Sequence, residues 1–264
     1  MEIAGYIAAL LIGVSLGLIG GGGSILTVPV LVYLLGIDPV LATAYSLFIV
    51  GATSLAGVFP KYKLGLVNLK TAVIFGIPSI LAVFLTRKFL IPWIPDQVFD
   101  IAGFAVTKSI LMMLLFAVLM LAASVSMIRD KKQPLQDAAQ QQFNYTFIMI
   151  EGAVVGLLTG MVGAGGGFLI IPALVFFSKL PMKQAVGTSL LIIAAKSLIG
   201  FTGDLSNLNI DWLLLLSVTA IAVAGIFIGN LISNKTDGEK LKKGFGWLVL
   251  VMGVFVIVKE IFFR

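Results

Sequence analysis

Residues 17–35 read GLIGGGGSILTVPVLVYLL, and residues 160–178 read GMVGAGGGFLIIPALVFFS. The two stretches align without a gap at an offset of 143 residues, Gly17 onto Gly160. Gly20, Gly22, Gly23, Leu26 and Pro29 fall on Gly163, Gly165, Gly166, Leu169 and Pro172. The register persists downstream, where Ala42, Ser46, Leu47, Ser54, Leu55 and Gly57 fall on Ala185, Ser189, Leu190, Ser197, Leu198 and Gly200. The chain is therefore a duplication. What it repeats is a glycine-rich interruption of an apolar segment, followed by a proline six residues beyond Gly23 and Gly166. Paired interruptions at matching places in two halves mark the binding site of many secondary transporters.

Composition fixes the solvent. Hydrophobic residues make up 59% of the 264-residue chain and charged residues 11%, with a mean hydropathy of +1.12. A soluble domain carries about 25% charged residues, so this chain lacks the polar surface to face water. Apolar stretches long enough to cross a bilayer recur along its length, and strand alternation is absent. Both point to an all-α polytopic membrane protein rather than a β-barrel. The chain has no Cys and no His, which removes disulfides, thiolate chemistry, His-ligated haem and most zinc or copper sites. No cofactor and no metal is expected. The net charge of +6 sits in short loops and reads as membrane orientation, not nucleic-acid binding. The N-terminus begins Met1-Glu2, has no basic region, and flows into the first glycine break. It reads as part of the fold, not as a cleaved signal.

Each half divides into five elements, giving roughly eight to ten hydrophobic helical segments in all. In the first half the elements run 3–19, 24–35, 39–59, 69–89 and 101–128. In the second they run 143–161, 167–177, 182–201, 211–233 and 241–263. The domain reading is a first membrane repeat over 1–128, a polar cytoplasmic linker over 129–142 (RDKKQPLQDAAQQQ from Arg129), and a second membrane repeat over 143–264. The first two elements together would make a helix of about 50 Å at 1.5 Å per residue, too long for one span of a roughly 30 Å core. Four consecutive glycines cost such a helix about 1 kcal/mol each, so the chain bends there, as a hairpin of short helices or as two full spans.

Charge favours the hairpin. Basic residues cluster at Lys61, Lys63 and Lys70, at Arg129, Lys131 and Lys132, at Lys179 and Lys183, and at Lys235, Lys240, Lys242 and Lys243. The loops at Asp38, at Asp96 and Asp100, and at Asp204 and Asp211 are poor in Lys and Arg, with Arg87-Lys88 the exception. Basic loops face the cytoplasm. All four clusters lie inside only if each glycine-broken pair returns to its starting side. The halves then have opposite orientation, an inverted-topology repeat with both termini outside. A parallel repeat would place the Lys235–Lys243 cluster outside.

In that arrangement the glycine tips lie within the membrane, where irregular backbone must be buried or line a wet cavity. Glycines leave backbone N–H groups uncovered. Ser24 is the expected N-cap of the following helix, whose N-terminus adds the positive end of a dipole. The substrate-binding set is read as Gly20, Gly21, Gly22, Gly23 and Ser24 with Gly163, Gly165, Gly166 and Gly167. Two such ends converging suit a small anion. The alternative is that glycine runs only allow close helix packing, and Gly13 with Gly17 or Gly156 with Gly160 has that spacing. Tyr45 and Ser46 align with Thr188 and Ser189, offering hydroxyls to an oxyanion. Ser and Thr also satisfy themselves on their own helix. Lys196, in LLIIAAKSLIG, lies deep in an apolar helix opposite Thr53 of the first half. A charge there costs about 2.5–3.5 kcal/mol on insertion scales and usually faces a cavity or counter-charge. It is read as a substrate contact and a proton-coupling group; snorkelling is the alternative. Glu151 is the other proton-coupling candidate, as a partner of Lys196, a proton carrier, or an interfacial group. Asp204 and Asp211 read as solvated helix ends. Trp93, Trp212 and Trp247 read as interfacial anchors.

At these residues the chain resembles the TauE/SafE family of sulfite and organosulfonate exporters. The resemblance rests on GGGGSILTVP and GAGGGFLIIP, on the downstream AxxxSL and AVGTSL segments, and on the overall length; it covers almost the whole chain. It implies a prokaryotic inner-membrane permease for small sulfur-containing or carboxylate anions, driven by a proton or sodium gradient. The first half departs at Ala44-Tyr45-Ser46, where a sequence like Gly187-Thr188-Ser189 is more usual. The expected function is a secondary transporter of sulfite, sulfonates or related anions by alternating access. The alternatives are a carrier for small carboxylates or a passive anion channel on the same scaffold. A membrane enzyme would want a His, Cys or carboxylate pair in the apolar region, and an assembly subunit would leave the duplicated tips unexplained. The expected partners are a small anion, the lipid bilayer, a coupling ion and a second copy of the chain in a homodimer, with no nucleic acid.

Overall fold

The fold is that of a computed structural model of the chain. It describes residues 2–101, 104–129, 145–163, 165–176, 178, 180–206, 208–233 and 238–262. Most of the expected linker (130–142), together with Lys179, Lys235 and Phe263, lies outside the described residues.

Helix α1 (Glu2–Ile19) ends where the glycines begin. Gly20 adopts φ +70°, a left-handed conformation that favours glycine. The chain then tightens into a 3₁₀ turn over Gly20–Leu26 before α2 (Thr27–Tyr33). Pro29 falls in the first turn of α2, where its missing N–H has no helical carbonyl to bond. Helix α3 (Pro39–Lys63) follows, opened by Asp38, whose carboxylate accepts from Val40 N at 2.8 Å. Helix α4 (Leu69–Leu85) runs on through a π-type turn (Thr86–Leu90) into the short α5 (Ile91–Trp93). A small antiparallel hairpin, β1 (Gln97–Ile101) and β2 (Phe104–Thr107), leads to α6 (Lys108–Ile128). The second half repeats the order with α7 (Tyr145–Val162), α8 (Gly167–Phe176), α9 (Met182–Thr202), α10 (Trp212–Ser233) and α11 (Gly238–Phe262).

Each half packs through the other. α1 lies along α10 and α7 along α4, α3 against α9, and α6 against α11. The contacts are reciprocal to the residue. Gly13 meets Ala222, and Gly156 meets Ser79; Gly57 meets Ile226, and Gly200 meets Val83. In both cases the second contact is the first with the halves exchanged. That is the signature of a pseudo-two-fold, in which i touches j and j touches i. The related helices α3 and α9 run antiparallel, for Leu47 meets Gly200, Gly51 meets Leu198 and Gly57 meets Leu190.

Five described helical spans are long and apolar enough to cross a membrane: Pro39–Lys63, Leu69–Trp93, Lys108–Val125, Met182–Thr202 and Trp212–Ser233. Of these, α3 and α9 are the most buried and form the centre. α4 shows Val73, Ile77, Leu81 and Leu85 as an exposed stripe four residues apart. In water such a continuous apolar face would be a liability; in a bilayer it is the lipid contact. The chain is an all-α polytopic membrane protein apart from its one small hairpin.

Four sequence expectations are corrected. The fifth element does not start as helix at Ile101, because Gln97–Ile101 pairs with Phe104–Thr107 and Thr107 caps α6 at Lys108. Ser24 is no N-cap: its hydroxyl donates to Gly21 O at 2.7 Å inside the 3₁₀ turn, and α2 starts three residues later. Lys61 is not a loop residue, since α3 continues through it and buries it. Asp204 is not solvated but buried. Asp211 is exposed, and its carboxylate accepts from Leu214 N at the start of α10. Trp93 and Trp212 sit at helix ends, whereas Trp247 lies nine residues inside its helix boundary at Gly238.

Candidate functional site

The two glycine breaks meet. A Cβ placed on Gly21 would overlap the Gly167 Cα, and one on Gly167 would overlap the Gly21 backbone. The two chains therefore cross backbone to backbone, which only glycine on both sides allows. Around the crossing, Gly20 lies against Val186 and Ser189, Gly165 against Val50 and Ile193, and Gly163 against Thr43 and Arg87. Gly163, Gly165 and Gly166 have φ of +72°, +62° and +68°. Gly20 and Gly163 are related by the repeat, and so are their neighbours Val186 and Thr43. Gly22 and Gly23 belong to the 3₁₀ turn beside the crossing.

Lys196 reaches the second break. It is fully buried, and its Nζ donates to Thr159 Oγ1 at 2.9 Å. A Cβ on Gly166 would come within 2.6 Å of that nitrogen. An ammonium has three donors, and Thr159 occupies one. Glu151 is not its counter-ion: no ion pair joins them among the described residues. Glu151 stands eight residues before Thr159 on the same helix, about 12 Å along its axis. It is half-buried, and its Oε2 has no partner among the described residues.

The hydroxyls divide by role. Tyr45 Oη accepts from Asp211 N at 2.6 Å, and Thr188 Oγ1 accepts from Asn68 N at 2.9 Å. These two bonds are again related by the repeat, and each holds the start of a helix, α10 and α4. Ser189 donates to Val186 O at 2.8 Å, next to Gly20. Ser46 is fully buried and its hydroxyl has no partner among the described residues.

One cluster escaped the sequence reading. Arg87 is fully buried, its Nη1 donating to Thr43 Oγ1 at 3.0 Å and lying 3.4 Å from Asp204 Oδ2. Thr43 in turn donates to Val40 O. Burial pushes the Asp204 carboxyl above its ordinary range, while Arg87 and Lys108 pull it down. The available signal was the exception to the charge pattern: Arg87-Lys88 among loops otherwise poor in cations. Lys88 is exposed and lies over the rings of Phe84 and Phe89, so only Arg87 turns inward.

The second break thus has an ammonium and a guanidinium packed against its glycine backbone in a buried setting. Buried cationic donors of this kind suit holding an anion. Comparison with known proteins agrees. Residues 6–256 match the family described as "Sulfite exporter TauE/SafE". The chain is 31% identical over 253 residues to a "Probable membrane transporter protein" of Xylella fastidiosa (strain 9a5c), covering 94% of this chain and 91% of that one. It is 28% identical over 271 residues to "Probable membrane transporter protein YunE" of Bacillus subtilis (strain 168), covering 97% of each. A shorter stretch of 115 residues is 34% identical to "Probable membrane transporter protein MJ0441" of Methanocaldococcus jannaschii, covering 41% of this chain and 43% of that one. No solved structure matches. With its duplicated breaks packed at the centre of a bundle of apolar helices, the chain belongs to the sulfite exporter TauE/SafE family, and it is a multi-pass membrane transporter, not an enzyme.

Proposed function

We propose that the protein is a secondary carrier of small anions, with sulfite, sulfonates and related organosulfur anions as its substrate class. The observation that carries this is the crossing of Gly21 with Gly167 beside the Lys196 ammonium. A buried ammonium with no carboxylate partner among the described residues, set against glycine backbone between two related halves, is a site for a negative charge. The glycines of both breaks, Ser24, Ser46, Ser189 and Lys196 supply the contacts. Tyr45 and Thr188 position the helices around them. Glu151 and Lys196 are the groups available for proton coupling.

Reciprocal contacts and the antiparallel α3–α9 pair support inverted repeats over 1–128 and 143–264, joined by a cytoplasmic linker in a prokaryotic inner membrane. The crossing is buried on all described sides, so transport requires the halves to rock and open it to one face at a time. Flux of sulfite and a panel of small sulfonates into proteoliposomes tests the reading. Saturable uptake that falls at least tenfold in Lys196→Gln is the expected result. Absence of saturable flux for every anion would overturn it. Unit conductance without coupling to protons or sodium would replace it with a channel.

A further inference from the structure

Arg87 is held at one edge only. Nη1 donates to Thr43 and forms an ion pair with Asp204 Oδ2, which has no hydrogen-bond partner among the described residues, while Nε and Nη2 are buried and likewise unpartnered among them. Those two nitrogens form the side of the guanidinium that offers two parallel N–H donors, the geometry that engages two oxygens of a carboxylate or sulfonate at once. Nη2 points at the second break, occupying the place a Cβ on Gly163 would take. A buried guanidinium with an unused fork is costly unless something fills it.

Its position differs from that of Lys196. Gly163 contacts Thr43 in the first turn of α3, whereas Gly165 contacts Val50. Arg87 Nη2 abuts Gly163 and Lys196 Nζ abuts Gly166, three residues further along the break. The repeat-related position of Arg87 is Asn230, whose backbone packs against Gly17 at the first break. Asn230 is buried, and both polar atoms of its side chain have no partner among the described residues. The two ends therefore share one design, with a cation at one and a neutral amide at the other.

Given a carrier of small anions, we infer that the free Nε–Nη2 edge of Arg87 is a second binding station for a singly charged oxyanion, on one side of the glycine crossing. Asp204 sets the charge class. It lies 3.4 Å from Nη1, longer than the roughly 2.7–2.9 Å of a tight charge-assisted bond, and it already offsets the guanidinium. The Nε–Nη2 donors serve either kind of anion, but the neighbouring carboxylate repels a dianion about twice as strongly as a monoanion. Sulfonates, carboxylates and hydrogen sulfite are favoured over sulfate.

The test is equilibrium binding of methanesulfonate and of sulfate to the purified full-length chain in detergent, with methanesulfonate flux measured in parallel. The wild-type protein is expected to bind methanesulfonate at least tenfold more tightly than sulfate. Arg87→Lys keeps the charge beside Asp204 but removes the fork, and it is expected to weaken methanesulfonate at least tenfold. Asp204→Asn is expected to narrow the preference for methanesulfonate over sulfate, a change that lost packing alone would not produce. Should Arg87→Lys fail to fold, Arg87→Gln combined with Asp204→Asn removes both charges together and is expected to show the same loss. Unchanged methanesulfonate affinity in the Arg87 variants, with wild-type flux intact, would overturn the station while leaving the carrier standing. An unaltered preference in Asp204→Asn would overturn the charge selection. A wild-type protein that neither binds nor moves any of these anions removes carrier and station alike.

Discussion

At the scale of single residues, glycines here divide by what surrounds them. Gly21 and Gly167 touch through their backbones, and neither backbone is the end of a flexible side chain that could yield. Gly21→Ala or Gly167→Ala is therefore expected to destabilise by about 1–3 kcal/mol, read as a lowered unfolding temperature in detergent. Gly244 has open space around it and lies within α11. Gly244→Ala is expected to be neutral or to gain about 0.5–1 kcal/mol from helix propensity. Lys196 makes the opposite kind of case. A buried ammonium whose one described partner is a threonine hydroxyl lowers stability, because its charge is removed from water without a counter-ion. Lys196→Met is expected to raise the unfolding temperature while abolishing flux. A protein that loses both would make Lys196 a structural residue.

At the scale of elements, the starts of α4 and α10 rely on hydroxyls from the opposite half. Asn68 N bonds Thr188 and Asp211 N bonds Tyr45. Thr188→Val and Tyr45→Phe each remove one such acceptor. Each is expected to cost about 1 kcal/mol, measured by thermal unfolding, with the half-saturation concentration for the transported anion unchanged. A rise in that concentration with stability intact would place these hydroxyls on the substrate instead. The loss should be similar at both sites, because the two bonds perform the same task on related helices.

At the scale of the whole molecule, orientation is open to direct measurement. The chain has no cysteine, so single cysteines can be introduced without altering anything else. Asn209, Lys63 and Lys243 are all exposed. If the repeats are inverted, N209C reacts with an impermeant maleimide from outside, and K63C and K243C react only after permeabilisation. A parallel repeat would expose K243C to the outside reagent, while K63C stayed protected. The glycine crossing also gives the molecule its closed state. Opening it to either face separates Gly21 from Gly167.

The sequence by itself determined the class of protein and its duplication. Composition left no polar surface for water, and the offset of 143 residues carried Gly20 onto Gly163 and Pro29 onto Pro172. Helix positions followed because apolar length and glycine breaks are local properties. Lys196 was legible for the same reason, as a lone charge within an apolar run. What only the tertiary structure decided were the partners. That Gly21 meets Gly167, that Thr159 rather than Glu151 receives the Lys196 ammonium, and that Arg87 turns inward to Asp204 all depend on contacts across the two halves. Read along the chain, Arg87-Lys88 is a basic pair at a helix end, and such a pair usually faces water. Its two members part only because the helix rotates one side chain toward α9 and the other toward the lipid-facing surface. The hairpin at Gln97–Thr107 was hidden likewise, since a two-stranded ribbon is stabilised by cross-strand pairing and not by the pattern of either strand alone.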